Sequence, residues 1–143
     1  MTHHAVASVA TAVTWLWLGM VLAISFLEAP LKFRAPGVTL PIGLGIGRLV
    51  FRALNAIEVA LGVVVAIGLA AGHGGATPWI GYAGAAAMLV VQLAAVRPAL
   101  SRRSDAVLAG AEGPRSHAHL AYVGLELLKV VGLIVAGVAL LAG

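Results

Sequence analysis

The sequence predicts an all-α polytopic membrane protein, a four-helix antiparallel transmembrane bundle, and three observations carry that prediction. Of 143 residues, 62% are hydrophobic and 10% are charged, whereas about a quarter of a soluble globular chain is charged. The mean hydropathy is +1.06. Apolar residues also gather in four stretches of about 18 to 24 residues, matching the roughly 20 needed to cross a hydrocarbon core as helix. These run from about Val6 to Leu27, Leu49 to Leu69, Trp79 to Val96 and Leu120 to Leu141, so residues 1–143 are read as one four-span domain.

Taken in order, the first span has no basic residue ahead of it in Met1 to Ala5, which predicts a retained span and no cleaved signal peptide. Trp15, Trp17 and Trp79 fall near the outer ends of their spans, where aromatic rings favour the membrane boundary. They are read as an interfacial belt with no catalytic role. The connection from Glu28 to Arg48 holds Pro30, Pro36 and Pro41 and then Gly43, Gly45 and Gly47, which predicts irregular backbone to about Leu44. Small residues crowd spans two and three (Gly68, Gly72, Gly81, Gly84 and Ala85 to Ala87), permitting close helix approach. The connection from Arg97 to His119 is predicted to form a short amphipathic surface helix ended by Gly113 and Pro114.

Charge sets the topology. The first connection carries Lys32 and Arg34, with Arg52 just inside span two; the third carries Arg97, Arg102, Arg103 and Arg115; Ala70 to Pro78 has only His73. By the positive-inside rule the first and third connections are cytoplasmic and both termini lie outside. The net charge of +4 would suggest nucleic acid for a soluble protein. Here the basic residues lie between apolar spans and read as topology signals and contacts to anionic lipid, with no nucleic-acid partner. The Ala- and Gly-rich makeup suits a bacterial plasma membrane. With no cysteine, disulfides, thiolate metal sites, cysteine nucleophiles and iron–sulfur clusters are excluded.

Span four breaks the apolar pattern. His119, Tyr122, Glu126 and Lys129 share an arc of about 80° at 100° per residue, so they face one neighbour. Arg48, Arg52, Asn55 and Glu58 form a somewhat wider stripe on span two. Both spans start on the same side, which puts Glu58 level with Lys129 and Asn55 level with Glu126. An intramembrane Lys or acidic residue costs roughly 2.5 to 3.5 kcal/mol and each Leu, Ile or Val returns roughly 0.3 to 0.6. Two such charges nearly cancel the apolar residues of span four, so Lys129 is expected to pair with Glu126 on its own helix or with Glu58 on span two. Glu28 at the end of span one and Gln92 in span three join the group by position, giving a candidate ligand or ion site in the cytoplasmic half.

Several chemistries fit poorly. A membrane haem needs two His on facing helices, and only His119 is near a span. The Glu-x-x-His motif of di-iron bundles is absent, although Glu28, Glu58, Glu126 and His119 supply the residue types. The Gly43, Gly45, Gly47 run lacks the Lys and Ser/Thr of a phosphate loop. No cofactor is assigned. A faint repeat at an offset of 71 matches Arg48 with His119, Asn55 with Glu126, Glu58 with Lys129 and Gly72 with Gly143, so spans one and two could parallel spans three and four.

The stretches "WLGMVLAISFLEAPLKF" and "GLGIGRLVFRALNAIE", covering about Trp15 to Glu58, resemble the small bacterial four-span membrane proteins classified as domains of unknown function. The resemblance singles out Glu28, Pro30, Arg48, Asn55 and Glu58 and implies no established activity. Three functions stay open. The leading one is handling of a small solute or ion at the polar cluster. The others are a non-catalytic accessory subunit of a larger membrane complex, and a membrane redox or lipid-modifying enzyme using His119 and the carboxylates. Four short helices enclose little volume, so a homo-oligomer or other membrane subunits are expected partners beside the lipid bilayer.

Overall fold

A computed structural model describes residues 2–72, 75–112 and 117–143. Among the described residues four helices follow in order: α1 (His4–Arg34), α2 (Leu40–Gly72), α3 (Ala76–Leu108) and α4 (His117–Ala142), each long and apolar enough to span a membrane. No strand occurs among the described residues. Helix α1 packs along both α2 and α4, and α3 packs most closely on α4. The bundle is therefore two helical hairpins joined through the α1–α4 contact.

The helices overrun the apolar stretches that the sequence marks. Where irregular backbone is expected to about Leu44, α1 continues to Arg34 and α2 begins at Leu40. Proline position explains this. Pro41 lies in the first turn of α2, where its missing N–H has no helical acceptor to lose. Pro36 follows an extended Ala35 (ψ 135°), the conformation favoured before proline, and Gly37 (φ 80°) closes the turn in the left-handed region. The Gly43 and Gly47 positions of α2 receive the Phe33 ring and the Lys32 ammonium from α1, and a Cβ at Gly43 would overlap the Phe33 ring. The expected separate surface helix after Arg97 is instead a direct continuation of α3 to Leu108, closed by Gly110 at φ 96°. Gly113, Pro114, Arg115 and His73 lie outside the described residues.

Pro30 and Pro98 sit inside continuous helix because the turn ahead of each is widened. Leu22–Glu28 and Gln92–Val96 are π-helical, with the Ala29 N–H donating to the Ile24 carbonyl and the Arg97 N–H to the Gln92 carbonyl. A proline ring crowds the carbonyl four residues back, and a π-turn moves that carbonyl aside. The α3–α4 seam is tight at Gly81 and Gly132. A Cβ on Gly81 would lie 2.5 Å from the Ala136 nitrogen, and one on Gly132 would lie 2.8 Å from the Gly81 carbonyl oxygen.

Polarity divides the bundle along its length. The apolar core, built on Trp17, Leu18, Val21, Val65, Leu69, Leu89 and Leu133, lies mainly in the half nearer the chain termini. Apart from Thr14, whose hydroxyl donates to the Ala10 carbonyl of its own helix, the buried polar side chains begin beside it and lie toward the basic end, where the α1–α2 turn and the C-terminal end of α3 meet.

Candidate functional site

Lys129 is fully buried and holds the centre of the site. Its ammonium lies 2.5 Å from Glu58 Oε1 and 3.0 Å from Glu126 Oε2, and donates a 2.9 Å hydrogen bond to Gln92 Oε1. Both pairings expected from the sequence are present together. Glu58 Oε1 also accepts a 3.0 Å hydrogen bond from Trp17 Nε1. Glu126 accepts one from Gln92 Nε2 at 2.6 Å and one from Ser25 Oγ at 2.9 Å. All four helices thus meet in one network. Glu58 stands 18 residues from Leu40 and 14 from Gly72, near the middle of α2.

Local structure explains the convergence. On α4 the buried positions Tyr122, Glu126, Lys129, Leu133 and Ala136 recur every three or four residues, one stripe that is polar in its first half and apolar in its second. Helix α2 repeats the arrangement with Asn55, Glu58, Gly62 and Val65. The two π-turns deliver the remaining contacts, since Ser25 lies within the first and Gln92 opens the second. Such turns break the regular helical register and are frequent at functional sites.

The other candidates sit elsewhere. Glu28 pairs with Lys32 at 3.3 Å, one turn apart on α1, and reaches no member of the central network. Arg48 is drawn to α3, donating to Asp105 Oδ1 at 2.7 Å and to the Ser101 carbonyl at 3.4 Å on the exposed surface. Arg52 and His119 are exposed. Asn55 and Tyr122 are buried beside the network, and the Tyr122 ring meets the Phe51 ring edge to face at 5.5 Å. The Tyr122 hydroxyl lies near Ser25 and within electrostatic reach of Glu126, Glu58 and Arg97. The connected network is therefore narrower than the two stripes suggest: Glu58, Gln92, Glu126 and Lys129 with Trp17 and Ser25, and Asn55 and Tyr122 buried beside it.

Trp17 and Ser25 are not legible in the sequence as site residues. Position near a span end puts Trp17 in an interfacial belt, but it has no exposed surface and binds Glu58. Trp15 and Trp79, each 36% exposed, do lie at the bundle surface. Trp17 and Glu58 are far apart in sequence, and only the α1–α2 packing register aligns them.

The network is neither charge-balanced nor saturated. Glu58 and Glu126 face Lys129, leaving one carboxylate in formal excess. Among the described residues four buried side-chain atoms have no hydrogen-bond partner: Asn55 Nδ2, Asn55 Oδ1, Glu58 Oε2 and the Tyr122 hydroxyl. An unsatisfied buried polar group costs about 1 to 3 kcal/mol, so each of these atoms calls for a partner. Among the described residues no three His, Cys, Asp or Glu side chains converge as a metal-binding set. No known protein family, curated protein or solved structure matches this chain.

Proposed function

We propose that the chain is a small integral membrane protein of a bacterial plasma membrane that handles a small solute or ion at the Glu58–Lys129–Glu126 cluster. The observation that carries this reading is the set of four unpartnered polar atoms around a cluster with one carboxylate in excess. A cluster that served only to fix helix register would be stabilised by saturating those groups, whereas a binding site keeps polar groups in reserve for its ligand. The polar half of the interior faces the basic end, which the positive-inside rule assigns to the cytoplasm, and the apolar core lies toward the opposite end. Access from the cytoplasmic side follows, with both termini outside.

The test is flux. Full-length protein in liposomes, under an imposed membrane potential, is measured by electrometry against a panel of monovalent ions, the proton included, and by isotope uptake against small zwitterions. One panel member should move with the wild type and stop moving in Glu58→Gln and Lys129→Met variants that remain monodisperse. Absence of flux for the whole panel overturns the reading.

A second reading, an accessory subunit, draws support from the way the network ties all four helices together through Trp17, Glu58, Gln92 and Lys129. Under it, Glu58→Gln and Lys129→Met break up an oligomer or a larger complex and no flux is found in the wild type.

A further inference from the structure

The unpartnered atoms belong to neighbouring turns of α2 and α4. Helices α2 and α4 touch at two levels, through Phe51 and Tyr122 at 5.5 Å between ring centres and through Glu58 and Lys129 at 2.5 Å. Asn55 lies between Phe51 and Glu58, about one turn from each, and shares the buried stripe with Glu58. Its amide is therefore held at the level bracketed by the two cross-contacts, where Glu126 stands between Tyr122 and Lys129 on α4. Asn55 is 2% exposed, Glu58 0% and Tyr122 7%, so bulk water does not reach their polar atoms.

The chemistry of these atoms restricts the ligand. Glu58 Oε2 and Asn55 Oδ1 accept hydrogen bonds, Asn55 Nδ2 donates, and the Tyr122 hydroxyl does both. A proton on the Glu58 carboxyl converts one of these acceptors into a donor, whereas among the described residues no three carboxylate or imidazole ligands converge here to hold a metal cation.

Charge points the same way. The groups facing Glu58 are Trp17 from α1 and Tyr122, Glu126 and Lys129 from α4. From α3, Gln92 contacts Lys129 and Glu126, and half-buried Arg97 lies nearest Tyr122. Lys32 is paired with Glu28. The inner cluster is one positive charge short, and an uncompensated buried charge is costly.

We infer that the cluster holds one exchangeable proton, carried on Glu58 with Tyr122 beside it, so that the ion handled at this site is the proton. This rests on the ion-handling reading above and specifies its ligand. In the step, Glu58 carboxylate takes a proton from the aqueous phase at the basic end and becomes the carboxylic acid. The cluster passes from one negative charge to none, no electrons move, and release reverses the step. Trp17 Nε1 continues to donate to Oε1, leaving Oε2 as the oxygen that gains and loses the proton. Ser25 and Tyr122 stand on the basic side of Glu58, while Val65, Leu69 and Leu133 close the other side. Exchange runs through the polar side.

The experiment is infrared difference spectroscopy of the full chain in liposomes after a pH step, in light and heavy water, with a large organic cation as the only other cation. The wild type should show one carboxylic-acid band that shifts on deuteration. That band should vanish in Glu58→Gln and shift in frequency without loss in Tyr122→Phe, the variant that serves if Glu58→Gln fails to fold. No carboxylic-acid band in the wild type overturns the inference, as does a band untouched by both Glu58→Gln and Tyr122→Phe. The same difference spectrum raised by sodium at fixed pH overturns it in favour of a metal cation while leaving the ion-handling reading intact. Proton uptake at Glu58 with no flux of any panel member supports the proton site and overturns the transport reading.

Discussion

Removing the ammonium at the centre of the network should be the most damaging single change in the protein. Lys129→Met keeps an unbranched stem of similar length but deletes three contacts, at 2.5 Å to Glu58, 3.0 Å to Glu126 and 2.9 Å to Gln92. Two buried carboxylates then face each other without a counter-charge. Breaking a buried pair by removing one partner costs about 3 to 5 kcal/mol, or two to three and a half powers of ten in the folding equilibrium. The opposite change should be mild. Glu58→Gln leaves Lys129 paired with Glu126, brings the formal charge of the cluster to zero and keeps an acceptor for Trp17, so its cost should stay near 1 kcal/mol, the worth of a typical hydrogen bond. The double variant restores the wild-type formal charge of the cluster and should recover part of the Lys129→Met loss, a coupling of about 0.5 to 3 kcal/mol. Equilibrium unfolding of all four proteins in one bicelle system, followed by tryptophan fluorescence, measures each step. The reasoning is refuted if Glu58→Gln is as damaging as Lys129→Met, or if Lys129→Met costs less than about 1 kcal/mol.

Other outcomes follow from the same contacts. Trp17→Phe should lower stability by about 1.5 to 3 kcal/mol, the worth of a hydrogen bond to a charged group, and the loss should shrink in a Glu58→Gln background; an unchanged loss would mean that packing, not the indole N–H, is what Trp17 contributes. Gly81→Val should force α3 from α4 and cost at least the roughly 1 to 3 kcal/mol typical of overpacking, because the added carbon meets backbone. Gly124→Ala, at an open and exposed position, should be neutral or stabilising by up to about 1 kcal/mol in the monomer, and a shift to a smaller species on size-exclusion chromatography would mark that face as a subunit contact. Arg48→Ala should cost no more than about 1 kcal/mol by thermal melting, since its pairing with Asp105 is exposed. The chain has no cysteine, so the single variants Pro36→Cys and Thr77→Cys report topology directly: an impermeant thiol reagent applied to intact cells should label the Thr77→Cys variant and spare the Pro36→Cys variant.

How much of this is readable from the sequence depends on range. Tyr122, Glu126 and Lys129 can be placed on one buried stripe of α4, and Asn55 and Glu58 on another of α2, because helical periodicity is a local property and charges in apolar spans are too costly to face lipid. Pairing of Lys129 with Glu58 follows from the shared direction of their spans. The stripes cannot be cut to length: His119, Arg52 and Arg48 continue them in sequence, but at the basic end none of the three is buried and Arg48 is drawn to Asp105.

The offset of 71 gains a physical meaning only in three dimensions. Phe51 meets Tyr122, and Glu58 meets Lys129, so positions matched by the repeat touch across the α2–α4 interface. The π-turns also overlap under that offset, since Gln92–Val96 falls back onto the region of Leu22–Glu28. Two parallel hairpins related by an approximate twofold axis would place equivalent residues opposite one another in this way.

The sequence by itself determined the four apolar helices, the basic connections between spans, and the need for Lys129 to find a carboxylate, all of which follow from transfer energies summed along the chain. Tertiary structure alone decided that Trp17 and Ser25 join the buried network, that Glu28 and Arg48 pair with Lys32 and Asp105 instead, and that four buried polar atoms among the described residues have no hydrogen-bond partner. Those outcomes depend on the register in which helices from distant parts of the chain pack, on two π-turns that re-aim side chains, and on glycines that set how closely the helices approach.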